Sequence, residues 1–472
     1  MAESGAHEAV GGKLTADQIT VTEPGIIRRA IGAAAIGNVT EWFDFGVFAY
    51  LQTTIQKVFF TGASQTVATI GTLGLFAVAF LVRPFGGMFF GPLGDRIGRT
   101  KVLSLTVILM AIGTFAIAFI PSYATIGAAA PMLMLLARLL QGFSTGGEYG
   151  GAMAFIAEYA PDKRRGFLGS WLEFGTLTGY AIGATCATLI TSLIPEDDLL
   201  SWGWRIPFLI SGPIGLIGLY LRLKLEETPA FKALAAESEG REGKQTLQEI
   251  KDIFGKYWRP MLVCGGLVLV FNVTNYMLTS YVPTYLEEPL KGAGISSTTS
   301  QVMQIVVLLL MMVFITFVGK LSDKIGRRPV IYTGCALMIV LAVPSVLLMR
   351  AGGFWPVFIG LALMGLMLLC FNSTMPSTLP ALFPTEIRYG ALAISFNLAV
   401  SLFGGTTAVV TAGLIAATGD LNWPGYYLIA AGIIGAIACY FTKESARKPL
   451  PGSPPAAATR EEAEEMAAAS QR

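Results

Sequence analysis

Apolar runs of roughly 20 residues recur along the whole chain, and a helix of that length crosses about 30 Å of hydrocarbon. These runs predict twelve helices, near 30–52, 66–91, 102–121, 130–157, 166–194, 205–222, 259–285, 299–320, 330–349, 354–380, 389–418 and 423–442. One long polar stretch, rich in Glu and Lys, separates the first six from the last six. The pattern divides the chain into an arm (1–27), a first six-helix half (28–222), a linker (223–258), a second half (259–442) and a tail (443–472). The arm is mixed in charge, contains Pro24, lacks a signal peptide's apolar core and reads as flexible. The tail begins Pro-rich and ends with Glu461, Glu462, Glu464 and Glu465.

Composition changes the picture only by sharpening it. Of the 472 residues 53% are hydrophobic and 14% charged, with mean hydropathy +0.62; a soluble protein carries about 25% charged residues. A soluble chain this apolar would expose large greasy patches and aggregate. An all-α multi-pass protein of the cell membrane is expected, its helices solvated by the lipid bilayer. Of the 33 Lys and Arg, 27 fall on one side of the predicted spans and four (Lys57, Arg205, Lys291, Arg350) on the other. That imbalance puts both termini in the cytoplasm. A net charge of +2 gives no bias towards nucleic acid. His7 is the single histidine, and the five cysteines are scattered without ligand spacing. No metal site, no resident cofactor and no nucleophile–base pair are expected, so the chain does not read as an enzyme.

The chain also repeats itself. Gly91-Pro-Leu-Gly-Asp95-Arg96-Ile-Gly98-Arg99 follows the second span, and Gly319-Lys-Leu-Ser-Asp323-Lys-Ile-Gly326-Arg327 follows the eighth. Pro161-Asp-Lys-Arg-Arg165-Gly166 follows the fourth, and Pro384-Thr-Glu-Ile-Arg388-Tyr-Gly390 the tenth. Two signatures recurring in order predict two homologous halves, which usually enclose a site near the bilayer midplane and rock about it. Asp95 and Asp323 can each sit against the positive end of a neighbouring helix or pair with Arg99 or Arg327, contacts that form in one conformation and break in another. A latch at Gly91, Asp95, Arg96, Gly98, Arg99, Arg165, Asp323, Gly326, Arg327 and Arg388 is therefore expected.

With these loops in hand the chain resembles the major facilitator superfamily of secondary transporters. Gly37-Asn38-Val-Thr-Glu41-Trp42-Phe43-Asp44, Leu81-Val-Arg83-Pro84, Arg138-x-x-Gln141-Gly142 and Trp202-Gly-Trp204-Arg205 narrow the likeness to its metabolite:proton symporters. Asn272-Val-Thr-Asn275-Tyr276 and the stretch 377–389 look most like the proline/betaine branch. The likeness covers about 28–450 and implies proton-coupled uptake of a small zwitterionic solute by alternating access, with the loop motifs as the latch. The tail is shorter than the C-terminal coiled coil that some relatives carry.

Ionisable groups inside a bilayer cost about 2.5–3.5 kcal/mol each on insertion scales, so each needs a partner or a function. Glu41, Asp44, Glu148, Glu173, Arg83 and Arg138 lie inside predicted spans, all in the first half. A carboxyl beside an arginine stays ionised and takes a proton once the arginine is withdrawn. Glu41, Asp44, Glu148, Glu173 and Arg138 are the candidates for proton coupling; the resemblance favours Asp44 with Arg138. Arg83, before Pro84, reads as a packing or gate residue. Candidate substrate contacts are the aromatics Trp42, Phe45, Tyr149, Trp171 and Tyr276, which suit a quaternary nitrogen, and the amides Asn38, Asn272, Asn275, Asn372 and Asn397. An organic-acid symporter (2-oxoglutarate, citrate or shikimate) is the alternative, which two arginines against four acids disfavour. A membrane sensor without transport is the alternative of another class.

Overall fold

The computed structural model describes residues 14–62, 65–223, 254–287, 290 and 296–470. His7 and most of the predicted linker, 224–253, lie outside the described residues. The first half contains α1 (Pro24–Tyr50), α2 (Gln65–Leu81), α3 (Arg83–Ile97), α4 (Arg99–Ile117), α5 (Ala129–Tyr159), α6 (Arg165–Leu193) and α7 (Ile206–Leu223). The second contains α8 (Trp258–Tyr276), α9 (Ser297–Ile325), α10 (Arg327–Ala351), α11 (Phe354–Thr378), α12 (Arg388–Ala399), α13 (Thr407–Thr418) and α14 (Trp423–Phe441).

Eight of the described helical segments are long and apolar enough to cross a membrane. The second predicted span falls short for a local reason: it breaks at Val82, between α2 and α3. Pro84 has no N–H to give to the carbonyl one turn back, which interrupts the ladder there. Two further helices widen into π-helical turns, Met277–Tyr281 after α8 and Val400–Gly404 after α12.

The halves meet along α3–α12 and α6–α9. Inside the first half α1 lies against α6, where added side chains at Gly175, Gly179 and Gly183 would strike the backbone of Ala35, Val39 and Phe43. That stripe lets the two backbones touch. Gly98 and Gly326 each form a one-residue joint between consecutive helices, at φ +110° and +107°. Only glycine takes that backbone without strain, so the sequence repeat is also a repeat in geometry.

The arm reads as flexible in the sequence, but its described part, 14–23, packs against the tail. The first helix already begins at Pro24, because a proline suits a helix's first turn. Ahead of it β1 (Thr20–Val21) pairs in parallel with β2 (Ala456–Ala457) of the tail. A last helix, α15 (Arg460–Ser470), buries Ala463 and Ala467 with Ile19 and Ala457.

Candidate functional site

The motif residues gather at the end of the bundle that carries both termini. Asp95, in the last turn of α3, accepts from the backbone N–H of Tyr389 (3.3 Å) and Gly390 (2.7 Å) and pairs with Arg99 at 3.1 Å. Asp323, in the last turn of α9, accepts from the N–H of Gly166 and Phe167, both 2.8 Å, and from Arg327 at 2.6 Å. Each carboxylate thus caps the first turn of a helix in the other half, α12 or α6, whose early N–H groups have no partner in their own helix. Gly91 faces Gly390 where α3 crosses α12. Arg96 of the expected set lies exposed on α3, next to the half-buried Asp95.

The third contact differs between the halves. Arg388 pairs with Glu158 at 2.9 Å, and Arg99 approaches the same carboxylate at 3.4 Å. Arg165 instead pairs with its neighbour Asp162 at 2.6 Å and donates to the Lys448 carbonyl of the tail at 2.9 Å. Sequence reasoning passes over Glu158 because it ends an apolar run, where a charge needs no special explanation; its place one turn before Pro161 is the available signal. Burial outweighs Arg99 and the two N–H donors at Asp95, and pushes its carboxyl up to about 7.

Deeper in the bundle the first-half charges divide into pairs. Asp44 and Arg138 meet at 2.8 Å, both essentially fully buried. Arg138 also donates to Gln141 (3.0 Å), which donates to Thr114 (2.7 Å), and lies over the Phe48 ring. Glu41, one turn before Asp44 on α1, takes a different partner, Arg83 at 3.7 Å. Glu173 of α6 is buried near Glu41 and Thr176. Asn38 ties α1 to α6 by donating to the Leu172 carbonyl (3.0 Å) and to Thr176.

Around Arg83 stands a ring cluster. Trp42 lies 5.6 Å from Phe45 and stacks with Tyr276 at 6.5 Å; Phe80 lies 5.6 Å from Phe45 and edge-on to Tyr276 at 5.3 Å. All three helix breaks converge here. Phe80 and Arg83 flank the break at Val82, Tyr276 precedes the turn after α8, and Gly404 and Gly405 press on Tyr276 and Phe80. Irregular backbone in a membrane is tolerated where it lines a site or is buried in protein. Phe80 and Arg83 are thus brought in from a segment that the sequence alone presents as packing.

Other candidates are distributed less neatly. Tyr149 of α5 packs on Phe396 of α12 at 4.7 Å, beside the buried Glu148. Asn272 donates to Val268 of its own helix, and Asn275 is buried a turn further on. Asn372 of α11 is fully buried, and neither amide atom has a hydrogen-bond partner among the described residues. The same holds for single atoms of Asn38, Trp42 and Glu173. A buried polar atom left unsatisfied costs about 1–3 kcal/mol, so these atoms are sites where a polar partner would be favourable.

Two candidates stand apart from the cluster. Trp171 lines an outer groove of about 510 Å³ with Arg28, Arg164 and Phe167. It is two residues, hence about 200° around the helix, from the inward Glu173. Asn397 donates to Gly146 and Ala393 carbonyls, both 2.6 Å, and so pins α12 to α5.

The sugar (and other) transporter family matches residues 30–451. A proline/betaine transporter of Salmonella typhimurium is 46% identical over 96% of this chain and 91% of its own length. A glycine betaine/proline/ectoine/pipecolic acid transporter of Dickeya dadantii, OusA, is 47% identical over 95% and 90%. Among solved structures the proton:xylose symporter XylE with bound 6-bromo-6-deoxy-D-glucose superposes with TM-score 0.75 at 20% identity, covering 91% of this chain and 98% of XylE. With a family match over residues 30–451 and this extent of identity, the chain is a multi-pass membrane protein that belongs to the sugar (and other) transporter family of the major facilitator superfamily.

Proposed function

We propose that the protein is a proton-coupled symporter of a small zwitterionic osmolyte such as proline or glycine betaine, working by alternating access. In this reading it has twelve spans, two six-helix halves and both termini in the cytoplasm, and the end held by Asp95 and Asp323 is the cytoplasmic latch. Protons are carried by Asp44 against Arg138, with Glu41, Glu148 and Glu173 as further acids on the path. The observation that carries the reading is the charge balance beside the ring cluster. Arg138 and Arg83, the arginines inside the predicted spans, already face a carboxylate, at 2.8 and 3.7 Å, and the aromatic faces of Trp42, Phe45, Phe80 and Tyr276 suit a cationic nitrogen with few protons to donate. The names of the similar transporters support the same solute class.

A dicarboxylate in that cluster would bury a second negative charge with no added cation, at a cost of several kcal/mol. Uptake of radiolabelled proline, betaine and 2-oxoglutarate into proteoliposomes tests the reading. A pH gradient, acid outside, drives accumulation of the zwitterions, and excess citrate leaves it unchanged. Uptake that needs Na⁺ and survives an uncoupler, or strong inhibition by citrate, rejects it.

A further inference from the structure

Arg83 is 2% exposed, and its guanidinium carbon lies 4.6 Å from the Phe80 ring centre and 4.9 Å from that of Phe45. Glu41 stands 3.7 Å away, and Tyr276 and Trp42 complete the surround. This is the environment that a desolvated organic cation seeks. The aromatic cluster therefore already holds a cation, the chain's own, and close-packed rings cannot accept a trimethylammonium group on the same faces at the same time.

We infer that Arg83 is a specificity-determining residue: it occupies the ammonium subsite, and a ligand that displaces it must bring an anion to receive it. The inference rests on the osmolyte reading above, and it selects within that class by charge count. Counting the neighbouring Glu173 as protonated, Arg83 and Glu41 leave the cluster neutral. Glycine betaine adds one cation and one carboxylate a few bonds apart; its nitrogen takes the rings, its carboxylate meets the released guanidinium, and the total stays neutral. Choline offers the same trimethylammonium group with a hydroxyl in place of the carboxylate. It leaves two buried cations against one ionised carboxylate, an uncompensated charge.

The count reverses when Arg83 is neutralised. In Arg83→Gln choline is balanced by Glu41, whereas betaine leaves two carboxylates against one cation. The test is equilibrium competition of unlabelled choline against radiolabelled betaine on the purified full-length protein, with choline binding also measured directly. The betaine-over-choline preference should fall by about tenfold or more in Arg83→Gln, stay within about threefold of the parent in Arg83→Lys, and rise in Glu41→Gln, following the sign of the single buried charge. An unchanged preference in Arg83→Gln overturns the inference, as does equal loss of both ligands in Arg83→Gln and Arg83→Lys, which marks a structural role. If Arg83→Gln does not fold, the other two variants decide: a Glu41→Gln preference that falls or stays level overturns it. A parent protein that binds neither betaine nor proline is a different result, since that rejects the osmolyte reading itself.

Discussion

At the scale of single residues, the Asp44–Arg138 pair differs from the surface ion pairs elsewhere in the chain. Arg138 is fixed from three sides, by Asp44, by Gln141 and by the Phe48 ring, so Asp44 is the member free to change protonation without dismantling the site. Asp44→Asn imitates the protonated acid permanently. Concentrative uptake should be lost while exchange of labelled for unlabelled solute continues, because exchange needs no net proton movement. Counterflow in proteoliposomes measures this; normal accumulation moves the coupling role to Glu148 or Glu41. Both residues are legible in the sequence, since acids and arginines inside apolar runs are conspicuous, and the resemblance supplies their pairing. The surroundings of Arg83 are not, because they depend on Tyr276 and Glu41 arriving from two other segments and on the break at Val82 that sets Phe80 beside it. Trp171 errs in the opposite direction: its residue type fits the site, but its helical phase turns it outward.

At the scale of helices, close approach and interruption do different work. The Gly175–Gly179–Gly183 stripe holds α1 rigidly on α6 and so fixes Asn38, Glu41 and Glu173 relative to one another. Gly179→Leu must push the backbones apart at Val39 and Phe43, and overpacking of this kind costs about 1–3 kcal/mol or more. Its thermal unfolding, followed by fluorescence-detected size exclusion, should shift down by several degrees, whereas Gly265→Ala, with nothing within 4 Å of the added carbon, should not. The breaks at Val82, Met277–Tyr281 and Val400–Gly404 are less legible than the stripe. Their segments read as unbroken apolar runs, and only Pro84 announces one of them. Periodicity records which residues are apolar, and π-helical widening leaves that record unchanged. The repeated loops are the reverse case, since Gly98 and Gly326 announce their joints outright.

At the scale of the molecule, the latch end combines two matched caps with an unmatched strap. Asp95 faces Arg99, Glu158 and the N–H groups of Tyr389 and Gly390; held there its carboxyl is pushed up to about 7, against 3.8 when free in water. The closed end therefore binds that proton more tightly than the open end. Its contribution to closure is complete below about 4 and lost as pH rises through about 7. Distances between spin labels at Lys101→Cys and Glu386→Cys, in a background lacking the native cysteines, should lengthen across that window and become flat with pH in Asp95→Asn. The strap adds a second hold. Past α14, Glu444 caps α10 through the N–H groups of Arg327 and Arg328, and Arg447 donates to the Asp323 carbonyl. The Lys448 carbonyl then accepts from Arg165 of the first half, and the Pro451 carbonyl from Arg388 of the second at 2.7 Å. Further on, Ala456 donates to Asp162 at 3.2 Å before pairing beside the arm. The tail thus alternates between halves, and an opening that parts Arg165 from Arg388 must strip it from one of them. Truncation after Ala446 leaves the Glu444 cap in place but removes every later contact. The same label pair should then show a larger open population with betaine affinity retained, and truncation after Thr459, which removes only α15, should show a smaller change. An unchanged distance distribution in the longer truncation would mean that the two caps and Glu158 close this end without the tail.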